Sequence, residues 1–160
     1  MVLGPKLLLR LVKKIKLVEG LSDRELNNPE GAGFDLRLGE VYKISGVAFL
    51  GEVHRKTADI ELVAKYQQNR HSGKPKAHPE SPTTIRDAGQ ASMTGNSILI
   101  KPGDFFLVKT IESVNMPANL TASITPRSTT YRSGLFILTG NVPPGYCGGL
   151  IFGLKNEGPI

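Results

Sequence analysis

Thr125-Pro-Arg-Ser-Thr-Thr-Tyr-Arg-Ser-Gly134 sets two arginines, Arg127 and Arg132, around three consecutive hydroxyls, Ser128, Thr129 and Thr130. Apolar, strand-like runs flank it over residues 120–124 and 135–138. The stretch therefore reads as a turn or short helical segment between two buried strands. Arginine offers a rigid fork of charged donors, and hydroxyls with backbone N–H groups complete an anion cradle. Alone, such a string also suits a polar surface loop with solvated arginines, so its meaning depends on the surrounding chain.

Outward from that stretch, short apolar runs recur between turn signals. Phe34-Asp-Leu-Arg-Leu-Gly39 alternates as a half-buried strand does, with Asp35 the odd residue. Residues 41–44 and 47–50 read as a hairpin about Ser45-Gly46, and 60–64 as a further strand. Residues 97–100, 105–110 and 111–114 follow, the first two separated by the turn Lys101-Pro-Gly-Asp104. Asn115-Met-Pro-Ala-Asn119 turns into 120–124, and 135–139 and 150–154 close the series. Short strands at this spacing predict an all-β sandwich or jelly-roll barrel. Helix–strand alternation is absent, which excludes a Rossmann architecture.

Residues 4–19 carry Leu8, Leu11, Val12, Ile15 and Val18 at helical spacing, with Lys6, Arg10, Lys13, Lys14 and Lys16 opposite. An N-terminal helix over 1–20 is expected, stopped by Gly20 and packed on the domain with a solvated lysine face. Residues 65–95 are polar and lack periodicity. They predict a long functional loop or a locally disordered insertion in a single domain spanning 1–160.

The chain has 160 residues, enough for a sizeable core, and its 18 Gly and 11 Pro favour frequent turns over a helical bundle. A net charge of +6 fits an anionic partner without choosing which. One cysteine, Cys147, excludes an internal disulfide framework and a multi-cysteine zinc set, and favours a cytoplasmic setting. No apolar run reaches the roughly 18 residues of a membrane span, and no cleavage pattern of a signal peptide follows residues 7–12. No metal is expected on protein ligands, because His71 and His78 lack ligand spacing and acidic partners. The Tyr and Phe residues form no stacking ladder with interleaved cations, which argues against a nucleic-acid partner.

Three stretches now stand in order: Gly31-Ala-Gly-Phe-Asp-Leu-Arg37, Pro126-Arg-Ser-Thr-Thr-Tyr-Arg-Ser-Gly134 and Gly140-Asn-Val-Pro-Pro-Gly-Tyr-Cys-Gly148. With Lys101-Pro-Gly-Asp-Phe-Phe-Leu-Val108, they resemble the dUTPase and dCTP deaminase superfamily, with archaeal-type dUTPases nearest. The resemblance implies a distorted jelly-roll barrel that assembles as a homotrimer, with nucleotide sites between subunits. It places Arg127, Ser128, Thr129 and Arg132 on phosphate oxygens. Thr139, Asn141, Gly145, Tyr146 and Gly148 fall around the base and deoxyribose, Tyr146 at the aromatic position that packs on the sugar.

The resemblance implies a dUTP nucleotidohydrolase that forms dUMP and pyrophosphate, with Mg²⁺ held by phosphates and water and Asp35 positioning water or metal. Two positions depart from the family pattern. The aspartate that orients water in dUTPases, three residues before the aromatic, is Pro143 here. The glutamate that serves as acid and base in dCTP deaminases, seven residues after it, is Gly153. A catalytically impaired deoxynucleotide-binding member and a dCTP deaminase are the alternatives. The zinc-deaminase pattern is absent.

Overall fold

The computed structural model describes residues 2–29, 31–66 and 97–158. Beyond Tyr66, the polar stretch expected over 65–95 lies outside the described residues, as do His71 and His78. The chain opens with α1 (Pro5–Ile15), β1 (Val18–Glu19) and α2 (Asp23–Asn27). β2 (Leu38–Ser45), β3 (Phe49–Leu50), β4 (Arg55–Lys56) and β5 (Asp59–Lys65) follow. β6 (Phe105–Asn115), β7 (Ala122–Ser123) and α3 (Ser128–Arg132) come next, then β8 (Leu135–Leu138), β9 (Asn141–Val142) and β10 (Cys147–Asn156). The described protein is mostly β, and every strand pair is antiparallel.

One six-stranded sheet runs β5-β2-β6-β10-β8, with β1 beside the far end of β6; β3-β4 and β7-β9 form two-stranded ribbons. β6 is the hub. Its even-numbered residues Phe106, Val108, Glu112 and Val114 point inward and are buried. The sequence reading divided this strand at residues 110–111, yet it runs on through Thr110 and Glu112, polar residues at inward positions. Both are satisfied there. Thr110 Oγ1 donates to the Glu112 carbonyl at 2.7 Å and accepts from Leu150 N at 3.2 Å. Glu112 takes two hydrogen bonds from Arg37.

Two apolar clusters fill the interior. Val41, Ala64, Phe106, Val108 and Leu154 form one beneath the sheet, with Ile98 and Ile100 packed on it. Leu17, Val18, Leu21, Val114, Met116, Val142 and Leu150 form the other, closed by Leu8, Leu11 and Val12 of α1. The lysine face of α1 is exposed as expected. The helix ends earlier than Gly20, however. Lys16 adopts the left-handed conformation (φ 52°), and Val18 pairs with Val114. Burial of Leu17 and Val18 draws the chain out of the helix into the sheet.

Other expected boundaries also shift. Residues 47–50 do not form a hairpin with 41–44, because β5 and β6 already occupy both edges of β2. Phe49 and Leu50 pair with Arg55 and Lys56 instead. Residues 34–37 precede the strand rather than belong to it, since Asp35 N and Arg37 N donate to carboxylates. Ile98 makes a single bridge in 97–100, and only Ala122–Ser123 of 120–124 is a strand. Residues 23–27 form α2 behind a Ser22 cap, and the capping-box spacing Ser22-Asp-Arg-Glu25 is a signal the sequence reading did not use.

Gly39 shows why the sheet tolerates no side chain at one point. A Cβ there would lie 2.9 Å from Ile111 N and 3.0 Å from Thr110 C. The register between β2 and β6 shifts beside it. That irregularity, and the matching one between Gly149 and Ile151 in β10, bend the sheet beside the third motif.

Candidate functional site

Asp35 is the joint between the first and second motifs. Its Oδ2 accepts from Arg127 Nη1 at 2.7 Å, and Arg24 Nη1 stands 3.6 Å from the same oxygen. Its backbone N–H donates to Glu25 Oε2 at 3.1 Å. Glu25 is buried, and its second oxygen, Oε1, has no hydrogen-bond partner among the described residues. α2 thus holds Asp35 twice, at its backbone through Glu25 and at its carboxylate through Arg24. Asp35 in turn holds Arg127 at the entrance to α3, where Ser128, Thr129 and Arg132 are exposed.

A second buried carboxylate fixes the rest of the first motif. Arg37 Nε donates to Glu112 Oε1 at 2.7 Å and Arg37 N to Oε2 at 2.8 Å. Glu112 is fully buried, whereas Arg37 keeps a third of its side chain exposed and reaches the Gly20 carbonyl. The sequence reading missed Glu25, Arg24, Arg37 and Glu112 as site-building residues. Arg37 stood inside the quoted first motif; the carboxylates lay elsewhere in the chain and carried no signal of burial.

The third motif is tied to the approach of the second. Thr139 Oγ1 donates to the Ile124 carbonyl at 2.9 Å, and Ser123 Oγ donates to Asn141 Oδ1 at 3.1 Å. The hairpin then turns at Gly145, whose φ of +78° favours glycine. Tyr146 is about one-third exposed, and its hydroxyl donates to the Gly149 carbonyl at 2.6 Å across Gly148. Met116 anchors both sides of the turn, accepting from Gly145 N at 3.1 Å and donating to the Tyr146 carbonyl at 2.8 Å. The structure brings Asp35 to Arg127, and joins Thr139 and Asn141 to the strand leading into α3. Tyr146 is engaged within its own hairpin.

Position 153 is buried and filled. A Cβ on Gly153 would meet Phe105 Cζ at 2.9 Å and Leu138 Cδ1 at 3.1 Å. Pro143 is exposed and offers no side-chain acceptor. Two guanidiniums already flank Asp35, so this corner suits an anion better than a metal ion. Among the described residues, no group of three His, Cys, Asp or Glu could hold a metal. The described residues therefore do not fit a protein-ligated Mg²⁺. No described helix is long and apolar enough to cross a membrane.

A second polar cluster lies on the open face of the sheet. Register places Lys65, Glu40, Lys109 and Ile151 in one cross-strand row. Glu40 accepts from Lys65 Nζ at 2.9 Å, from Lys109 Nζ at 3.0 Å and from the Tyr42 hydroxyl. The three donors hold the Glu40 carboxyl down at about 2. The same hydrogen bonds to Glu40 push Tyr42 and Lys109 upward.

A mostly β domain of antiparallel sheets, its first and second motifs joined through Asp35 and Arg127, defines the class. A family model described as dCTP deaminase-like matches residues 4–160, and the chain belongs to that family. It is 26% identical to the dUMP-forming dCTP deaminase of Dictyoglomus turgidum, over 98% of this chain and 70% of that protein. It is 28% identical to the dCTP deaminase of Haloarcula marismortui, over 67% of this chain and 57% of that protein. A solved 2′-deoxycytidine 5′-triphosphate deaminase from Agrobacterium tumefaciens superposes with a TM-score of 0.57 at 17% identity. That superposition covers 97% of this chain and 41% of the other, and at such identity it speaks to the fold.

Proposed function

We propose that this protein binds a pyrimidine deoxynucleoside triphosphate, dCTP or dUTP, as a catalytically impaired member of its family. The observation that carries the reading is the filled seat at position 153. Deamination needs a group that moves protons at the base. Phe105 and Leu138 occupy the space into which a side chain from 153 would project. Pro143 likewise leaves the hydrolytic reading without its usual water-orienting carboxylate. The dUTP hydrolase expectation has support from the superfamily alone.

The residues that would bind the nucleotide are present in the chain. Arg127, Arg132, Ser128 and Thr129 grip the phosphates, and Asp35 preorganises the Arg127 fork. Gly145, Tyr146 and Gly148, with Thr139 and Asn141 behind them, receive the sugar and base. Mg²⁺ accompanies the triphosphate as its counter-ion, without protein ligands of its own.

The protein assembles as a homotrimer with sites between subunits. Leu62, Tyr42, Leu107, Gly153 and Leu138 form one row across five strands of the open sheet face. Leu62, Leu138, Phe136 and Ile151 are about half exposed there. An apolar face of this extent favours closed association of copies.

The names of the curated relatives favour a second reading, deamination of dCTP. Calorimetry with dCTP and dUTP in Mg²⁺, alongside assays for ammonia and pyrophosphate, separates the possibilities. Binding without either product is expected. Ammonia from dCTP would establish the deaminase, pyrophosphate from dUTP the hydrolase, and failure to bind both nucleotides would end the proposal.

A further inference from the structure

Lys109 stands beside the third motif, yet no motif contains it. Its stem runs over Gly149: a Cβ on that glycine would lie 3.0 Å from Lys109 Cε. On the other side, the Gly149 carbonyl accepts from Tyr146. Lys109 and Tyr146 therefore flank one glycine of the hairpin. The ammonium group is aimed by Glu40 at 3.0 Å, and Glu40 is itself fixed by Tyr42 and Lys65. Tyr146 adds a smaller contribution to the upward push on Lys109, behind those from Glu40.

A cleft of about 360 Å³ opens at this point, walled by Glu40, Lys65, Tyr66, Lys109, Glu112 and Gly149 among others, both carboxylates being already engaged by Lys65, Lys109 and Arg37. That volume lies in the range of small-ligand sites, roughly 300–1,000 Å³. Its walls combine an aromatic ring, a backbone kept bare by glycine and an ammonium donor with capacity beyond its bond to Glu40.

We propose that the nucleoside end of the bound nucleotide, seated on the third motif, reaches the edge of this cleft at Gly149 and that Lys109, aimed by Glu40, donates to an oxygen of the base or sugar. The inference rests on the binding reading above and adds a determinant that the motifs do not contain. Lys109 is a donor that accepts no proton, so it does not replace the aspartate missing at position 143. It fixes the ligand.

The test measures dUMP and dUTP affinity for the full chain and for Lys109→Met, which keeps the stem and removes the charge. Both affinities should fall by the same factor, about ten- to a hundredfold, as for loss of a charged hydrogen bond. Lys109→Arg should recover most of the loss, and the loss in Lys109→Met should persist at a temperature where circular dichroism shows that variant fully folded. Arg127→Ala provides the contrast, weakening dUTP far more than dUMP. Unchanged affinities in Lys109→Met, or a loss confined to dUTP, would overturn the assignment while leaving the binding reading intact. A parent chain that binds neither dCTP nor dUTP would remove the reading itself.

Discussion

Glu40 is only slightly exposed and accepts from three side chains, so its carboxyl lies at about 2 instead of 4.5. A depressed folded-state value means the unfolded chain takes up the proton first as pH falls. The stability Glu40 contributes is fully present above about pH 4.5 and is lost as pH falls toward 2. Acid unfolding followed by circular dichroism should show a shallower dependence in Glu40→Gln across that window. An identical slope would show that the cluster contributes nothing there. At this scale the sequence was partly legible. The donor chemistry of Arg127 and Ser128 could be read from residue type, and the departures at Pro143 and Gly153 from the resemblance to the family. The ion pair between Asp35 and Arg127 could not, because it joins residues 92 positions apart.

Among the elements, β6 and the residues before β2 depend on Glu112. Its two oxygens serve the Arg37 side chain and backbone, while Arg37 O accepts from Ile111 N at 2.9 Å. Glu112→Ala would leave the Arg37 guanidinium, a third exposed, without its buried acceptor, and loss of a hydrogen bond to a charged group typically costs about 1.5–3 kcal/mol. Urea unfolding should show a loss of that order; a change below about 1 kcal/mol would mean that water replaces the carboxylate readily. The division expected at residues 110–111 fell where period two gives no break: alternation continues from Phe106 to Val114, and Arg37, a third exposed, satisfies the inward Glu112. α1 was readable from its apolar stripe, but its end was set by the burial of Leu17 and Val18, a tertiary effect. α2 is too short for periodicity to reveal.

For the whole molecule, the open sheet face carries the proposed trimer. Leu138 is 59% exposed and Phe136 53%, both on edge strand β8. Leu138→Asp with Phe136→Ser should shift sedimentation from three copies toward one while far-ultraviolet circular dichroism stays unchanged. A parent chain that sediments as a monomer would refute the assembly. The mostly β character was evident from turn spacing, whereas the pairing of strands was not. Local pattern shows which residues are extended and says little about which distant strand each will meet.

The position of β6 as hub has a consequence for how the chain is made. β1 and β2 precede it by some 60 residues or more, and β10 follows it by about 30. At about 5–20 residues per second, a ribosome exposes β2 for several seconds before its main partner emerges. During that interval β2 can pair only with β5, as a two-stranded ribbon of marginal stability. The nascent N-terminal segment is therefore the part most in need of a chaperone, and folding becomes cooperative only once β6 has left the exit tunnel.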